Sequence, residues 1–361
     1  MPFQVVNPIF STYVVIAIVL LAVLFSIRKR TTTSLLPVSL SQELKGFAIL
    51  AIIFGHIGYF LVLNHEFLFP LSALAGVGVD LFLFLSGFGL AVSQSKKLLS
   101  PLNFYRRHFL KLYTPLWIVL SFVFLLDIWL LQKAYTVDSI LHSLLGFFPS
   151  ADLFTDVNSP LWYFTFILFF YLLFPLVFKP NRPLLSALVL FGLAKGITLL
   201  QLPLLTNIQH LYVVHLLAFP IGIALGGFYT KYQQKRERLE QKITYMPISA
   251  RIVLMTLIAG VFAYFAYFSG IGTPQQELIS LFTALLILLF FILKNFEVRI
   301  LYLFGIFSYA LYLIHWPFLS RYEFFYAQTP AWIATVLNIS ILLGLSWLLH
   351  RILKVFFPGR A

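Results

Sequence analysis

The chain has 361 residues, of which 61% are hydrophobic and 10% charged, with a mean hydropathy of +0.95. Soluble domains are about half apolar and a quarter charged, so a water-soluble fold is excluded, and no polar stretch is long enough to form a separate domain. With no cysteine, disulfides, thiolate metal sites and a thiol nucleophile are excluded too, and the net charge of +13 must be located before it is given a partner.

Apolar runs of roughly 17 to 25 residues, bounded by charges or turn residues, predict an all-α bundle of about eleven transmembrane helices. The first lies near 11–27. No basic residue precedes it, and Arg28, Lys29 and Arg30 follow it, so it reads as an anchor with its amino terminus outside rather than a cleavable signal peptide. The second and third lie near 45–63 and 71–93. The segment 96–111 (KKLLSPLNFYRRHFLK) mixes basic and apolar residues and is expected along the cytoplasmic interface, ahead of the fourth span near 112–131. In the long outer connection, 132–159, the stretch VDSILHSLLGFF predicts a short helix resting on the outer face. The remaining spans are expected near 160–178, 184–203, 210–229, 251–269, 277–293, 299–319 and 330–349.

The charges divide by side. Of 25 lysines and arginines, 22 fall in alternate connections and the carboxyl tail, against Lys133 and Arg321 on the other side and Lys195 within a span. The positive-inside rule then places the amino terminus outside and the carboxyl terminus in the cytoplasm. Basic charge so placed faces lipid headgroups and anionic ligands, and nucleic acid is not needed as a partner. The organisation expected is an anchor and basic loop (1–39), a ten-helix membrane domain (40–349) and a short cytoplasmic tail (350–361).

Ionisable groups at bilayer depth cost roughly 2.5 to 3.5 kcal/mol each on insertion scales, so each calls for a reason. His56, Asp80 and Lys195 stand out. At about 1.5 Å of rise per residue all three fall near the midplane, which suggests one shared polar cavity. The plainer readings are that His56 is a helix–helix hydrogen-bond partner and that Asp80 and Lys195 pair with each other to fix packing. Lys45 stands eleven residues before His56, about three turns, on the same helical face at the opposite depth. With Arg106, Arg107 and Lys111 it could hold a phosphate-bearing ligand whose far end reaches His56, although anionic lipid would suit the same charges.

Five stretches, in order, carry a resemblance. LKGFAILAIIFGHIG (44–58), GVGVDLFLFLSGFGLAVS (76–93), FYRRHFLKLYTP (104–115), SPLWYFTFILFFYLLFPLV (159–177) and FGIFSYALYLIHWPF (304–318) resemble the acyltransferase-3 family of membrane O-acyltransferases. The resemblance runs over about 40–349, leaving the first span as an addition.

It implies transfer of an acyl group, usually acetyl, from cytoplasmic acyl-CoA as co-substrate to a hydroxyl of a saccharide or cell-envelope glycan, in the bacterial plasma membrane. No tightly bound cofactor or metal is expected. His56 matches the family's essential histidine, and Lys45 stands where the family usually has arginine. Arg106, Arg107 and Lys111 represent its cytoplasmic basic pattern, with a role in binding CoA phosphates. A positioned imidazole can take the proton of an attacking hydroxyl, typically worth 10² to 10⁴-fold, and Asp80 could orient it; an acyl-histidine intermediate stays equally open. On the outer side Trp162 and His315 are the candidates for the acceptor, His315 ranking first for its place in the LYLIHWP motif of the resemblance. A transporter or flippase, or a non-catalytic polysaccharide-export component, would also account for ionisable residues in the membrane.

Overall fold

In the computed structural model, which describes residues 3–269 and 274–356, apolar helices follow one another in the expected order. Pro8–Phe25 forms α1, and Ile27–Lys29 a short strand, β1. Val38–His56 is α2, prolonged by a π-turn over Ile57–Leu61, and a 3-10 turn over Leu71–Leu74 leads into α3, Ala75–Lys96. Pro101–Leu131 is α4, started by Pro101 and by the Ser100 side chain, which caps the Asn103 amide. The short helix α5, Val137–Leu145, is capped by Thr136 and stopped by Gly146 at φ 72°, a conformation that suits glycine. Then come α6 (Trp162–Val177), α7 (Pro183–Leu199), α8 (Gln209–Val213), α9 (Ala218–Lys231), the polar α10 (Gln233–Thr244), α11 (Ile248–Tyr267) and α12 (Pro274–Leu293). Strand β2 (Phe296–Val298) precedes α13 (Arg299–Ile306), α14 (Ser308–Arg321), α15 (Phe325–Gln328) and α16 (Ala331–Phe356).

Helix α2 is central. In a bilayer the packing of helices rests on close backbone approach, which small residues allow. At Gly46 a Cβ would stand 1.8 Å from the Leu301 carbonyl oxygen, and at Gly305 the same distance from that of Gln42. Glycine at both positions is therefore what lets α2 and α13 touch. On its other side α2 meets α3, where Gly78 lies against the Ala48 carbonyl. Leu44, Ile49 and Ile53 of α2 are fully buried in these contacts. Strands β1 and β2 pair antiparallel at the same end, with Arg28 opposite Glu297 and joined to it by a 2.9 Å ion pair.

Among the described residues, eight helices are long and apolar enough to cross a membrane by length and composition, or nine if α13 and α14 are one broken span. Pro183–Leu199 and Leu278–Leu293 are apolar but shorter. Residues 101–111 of the basic segment before the fourth span continue without a break into α4. One expectation needs correction. The span expected over 299–319 is bent by 76°. Its first half is held to α2 through Gly305, and its second half swings to the far end of α2. The short helix expected within 132–159 is present as α5.

Segment 3–12, ahead of the resembling region, closes over the residues that follow His56. Phe3 exchanges backbone hydrogen bonds of 2.8 and 2.9 Å with Leu61 and Leu63, and the Val5 amide donates to the Asn64 side chain at 2.9 Å. Thr12 accepts from the Leu68 amide at 2.8 Å.

Candidate active site

His56 ends α2 with its ring half-buried, opposite the end that carries Lys45. The bend between α13 and α14 brings His315 beside it. The two imidazoles meet edge to face with ring centroids 4.9 Å apart, and Trp316 and Phe60 flank His56 at 5.2 and 5.7 Å. The Nδ1 of His56 lies 2.8 Å from the Ile52 carbonyl, and that of His315 lies 3.0 and 2.9 Å from the Leu311 and Tyr312 carbonyls. A carbonyl only accepts, so these contacts assign the proton to Nδ1 in both rings and leave both Nε2 lone pairs free. His315 Nε2 is buried without a hydrogen-bond partner among the described residues. Buried polar atoms are nearly always paired, so one left open next to a second free base marks a functional site.

The connection between α4 and α6 locks α14 in place. Tyr312 donates its hydroxyl to the Pro160 carbonyl at 2.9 Å, Trp316 its indole N–H to Leu153 at 2.8 Å, and Asn158 its amide to Leu313 at 2.8 Å. Six residues beyond His315, Arg321 forms a buried ion pair with Asp127 of α4, which also accepts from Tyr135 and Tyr322. The rotamer of His315 is thus fixed from several directions.

A run of aromatic residues lies between the histidines and the basic end. Tyr312 is 6.5 Å from His315, Tyr163 is 5.5 Å from Tyr312, and Tyr309 is 6.3 Å from Tyr312, with its hydroxyl bonded to the Leu112 carbonyl of α4 at 2.6 Å. Tyr163 and Tyr171 face Ser86 on α3. Tyr163, Tyr171, Tyr309 and Ser86 keep partial solvent access although they lie between helices. At the basic end Lys111 stands within electrostatic reach of Lys45, and Arg107 and Lys111 both act on His108. Arg106 is exposed on the same helix, α4.

Asp80 does not orient His56. Its two carboxylate oxygens are occupied by His215 Nδ1 at 2.7 Å and Ser280 at 2.6 Å, and the His56 Nδ1 is taken by the backbone. Nor does Asp80 pair with Lys195, which is half-buried on α7 and makes no ion pair among the described residues. Trp162 stacks at 17° on His215 rather than on the His56–His315 pair, so it supports the Asp80 cluster instead. The shared cavity of three ionisable groups is therefore two clusters: His56 with His315, and Asp80 with His215 and Ser280. Sequence reasoning missed His215, which the rule that singled out Asp80 would have found, since it too lies in an apolar run. Ser86, Tyr171 and Tyr309 carried no such signal, as tyrosine and serine are common in membrane helices.

A membrane helix bundle that presents two free imidazole bases at one end of a central helix, and a cluster of cations at the other, defines an integral membrane protein with a reactive site inside the bundle. The chain belongs to the acyltransferase-3 family: the family model described as an acyltransferase domain matches residues 44–351, and the protein is a membrane acyltransferase. No curated protein and no solved structure matches the chain.

Proposed function

We propose that this acyltransferase moves an acyl group, acetyl first among the candidates, from acyl-CoA to a hydroxyl of a saccharide or cell-envelope glycan, with His56 as the base. The chain would cross a bacterial plasma membrane eleven times, with its amino terminus outside. The basic end of the bundle then faces the cytoplasm, where CoA is found. Lys45, Lys111, Arg106 and Arg107 would hold the phosphates of CoA, leaving the thioester arm to run about 16 Å along α2 to His56. The half-accessible Ser86, Tyr163, Tyr171 and Tyr309 suit the lining of such a route.

The observation that carries this reading is the pair of free Nε2 atoms at His56 and His315. The acceptor hydroxyl gives its proton to His56 Nε2 while its oxygen attacks the thioester carbonyl carbon. The C–S bond then breaks, and the leaving thiolate takes the proton back from His56. His315 Nε2 accepts a second hydrogen bond from the acceptor sugar and holds its hydroxyl in line. Aromatic walls at Phe60 and Trp316 suit the apolar face of a sugar ring.

The test is thiol release from acetyl-CoA by purified protein given envelope glycan, with His56→Ala compared to wild type. The variant is expected to fold and bind acyl-CoA normally but to lose about 10² to 10⁴-fold in kcat. Wild-type turnover by folded His56→Ala protein would remove His56 from the mechanism.

A further inference from the structure

Away from the histidines, the basic end of the bundle holds a second polar cavity, of about 140 Å³, between the loop after α1 and the facing ends of α10, α11 and α12. Arg30, Arg251 and Lys294 line it together with the hydroxyl residues Thr32, Thr33 and Thr244. Arg30 and its threonine neighbours precede residue 44, so this cavity is built partly by the segment outside the family match.

The charges around it do not balance. Glu297 is taken by Arg28 at 2.9 Å, Glu43 by Lys294 and the Val298 amide, and Glu240 by the Leu35 amide and by Arg236 at 3.7 Å. Arg30 and Arg251 have no carboxylate partner among the described residues. Arg30 instead donates to four backbone carbonyls, those of Ile292 and Lys294 at 3.3 Å each and those of Ser34 and Leu35, and Arg251 to those of Ile243 and Thr244. Both Nε atoms are buried without partners. The carbonyl end of a helix carries about half an elementary negative charge in all, so the ends of α10 and α12 together do not neutralise two guanidinium groups. The two guanidiniums act on each other, and Arg30 also feels Glu297, Glu43 and Glu240, each of which is already shared with another cation.

We propose that this cavity binds the phosphate of an anionic glycerophospholipid from the leaflet at the basic end of the bundle, with Arg30 and Arg251 as its principal contacts. The lipid source follows from α11, which packs only 6% of its most apolar window inside the bundle and exposes Ile248, Ile252, Val253 and Leu257 to the side. Arg251 is in the first turn of that helix, and Tyr245, 83% exposed, precedes it, as an aromatic at the headgroup level would. A phosphate entering laterally from the bilayer meets both guanidiniums and the threonine hydroxyls, while its acyl chains lie along α11. The cavity is separate from the acyl-transfer site and requires none of the assignments made for it.

The experiment measures thermal unfolding of the full chain, and phospholipid retained after purification, in vesicles of phosphatidylglycerol or phosphatidylcholine, with inorganic phosphate as a third arm. Wild type should be stabilised by phosphatidylglycerol over phosphatidylcholine. Arg251→Gln and Arg30→Gln should each retain about fivefold less phosphatidylglycerol. Arg238→Gln, an exposed α10 cation outside the cavity, should retain as much as wild type. Thr32→Glu places a carboxylate at the exposed rim, keeps both arginine clamps, and should abolish the selectivity in a folded protein. Full selectivity in Thr32→Glu, or equal losses in Arg238→Gln and Arg251→Gln, would overturn the site. The same stabilisation by inorganic phosphate alone would overturn the lipid as its source.

Discussion

His315 of α14 presents its ring to His56 of α2 edge to face, 4.9 Å between centroids, with its own Nε2 buried and unpaired among the described residues. The two residues are 259 positions apart in the chain, and the 76° bend between α13 and α14 is what brings them together. Both imidazoles have Nδ1 committed to backbone carbonyls, so each can act as a base only through Nε2.

His315→Ala removes an acceptor without removing the base. Loss of that second hydrogen bond from the acceptor sugar is worth about 1 to 3 kcal/mol, so turnover should fall about fivefold to 150-fold with acyl-CoA affinity unchanged. Equal activity in His315→Ala, measured as acetyl transfer to glycan by folded protein, would leave its open nitrogen a packing feature.

Lys45 and Lys111 stand within electrostatic reach of each other at the basic end, and neither forms an ion pair among the described residues. Lys45→Ala and Lys111→Ala should each weaken acyl-CoA binding about tenfold, the loss of a charge-assisted hydrogen bond, with a smaller deficit at high salt. Lys45→Arg should preserve or tighten binding because its planar fork can take two phosphate oxygens. Titration of CoA into each variant decides this; unchanged affinity in both alanine variants removes the pair from the donor site.

Asp80 joins α3 to the His215 and Ser280 side chains, and both its oxygens are in use. Asp80→Ala orphans two buried groups at once and should cost about 3 kcal/mol of stability, seen as a lower Tm, while the folded fraction keeps its acyl-CoA affinity and most of its turnover. A variant of normal stability with no activity would instead put the cluster in the chemistry.

Truncating the chain to begin at Asn7 removes the pairing of Phe3 with Leu61 and Leu63 and the Val5 to Asn64 bond. These contacts hold the residues that directly follow His56. Turnover should drop about tenfold, the effect of about 1.4 kcal/mol in positioning, with no change in acyl-CoA binding. Asn64→Ala, which removes only one of these bonds, should show a smaller loss in the same direction. An unaffected kcat in the truncated protein would mean that the turn after His56 holds itself.

The sequence by itself determined the helical bundle, because runs of apolar residues long enough to span a bilayer leave the backbone no other way to satisfy its polar groups. It also marked His56 and Lys45, since eleven residues on one helix fix their relative face and depth whatever surrounds them. What only the tertiary structure decided is who stands across from whom. Asp80 and Lys195 share a depth by counting, yet depth says nothing about azimuth, and Asp80 turns to His215. The break that splits 299–319 into α13 and α14 has no proline at its bend; it follows from Gly305 seating against Gln42, a contact between segments more than 250 residues apart. The His56–His315 pair depends on that bend, so local sequence could name each histidine but not join them.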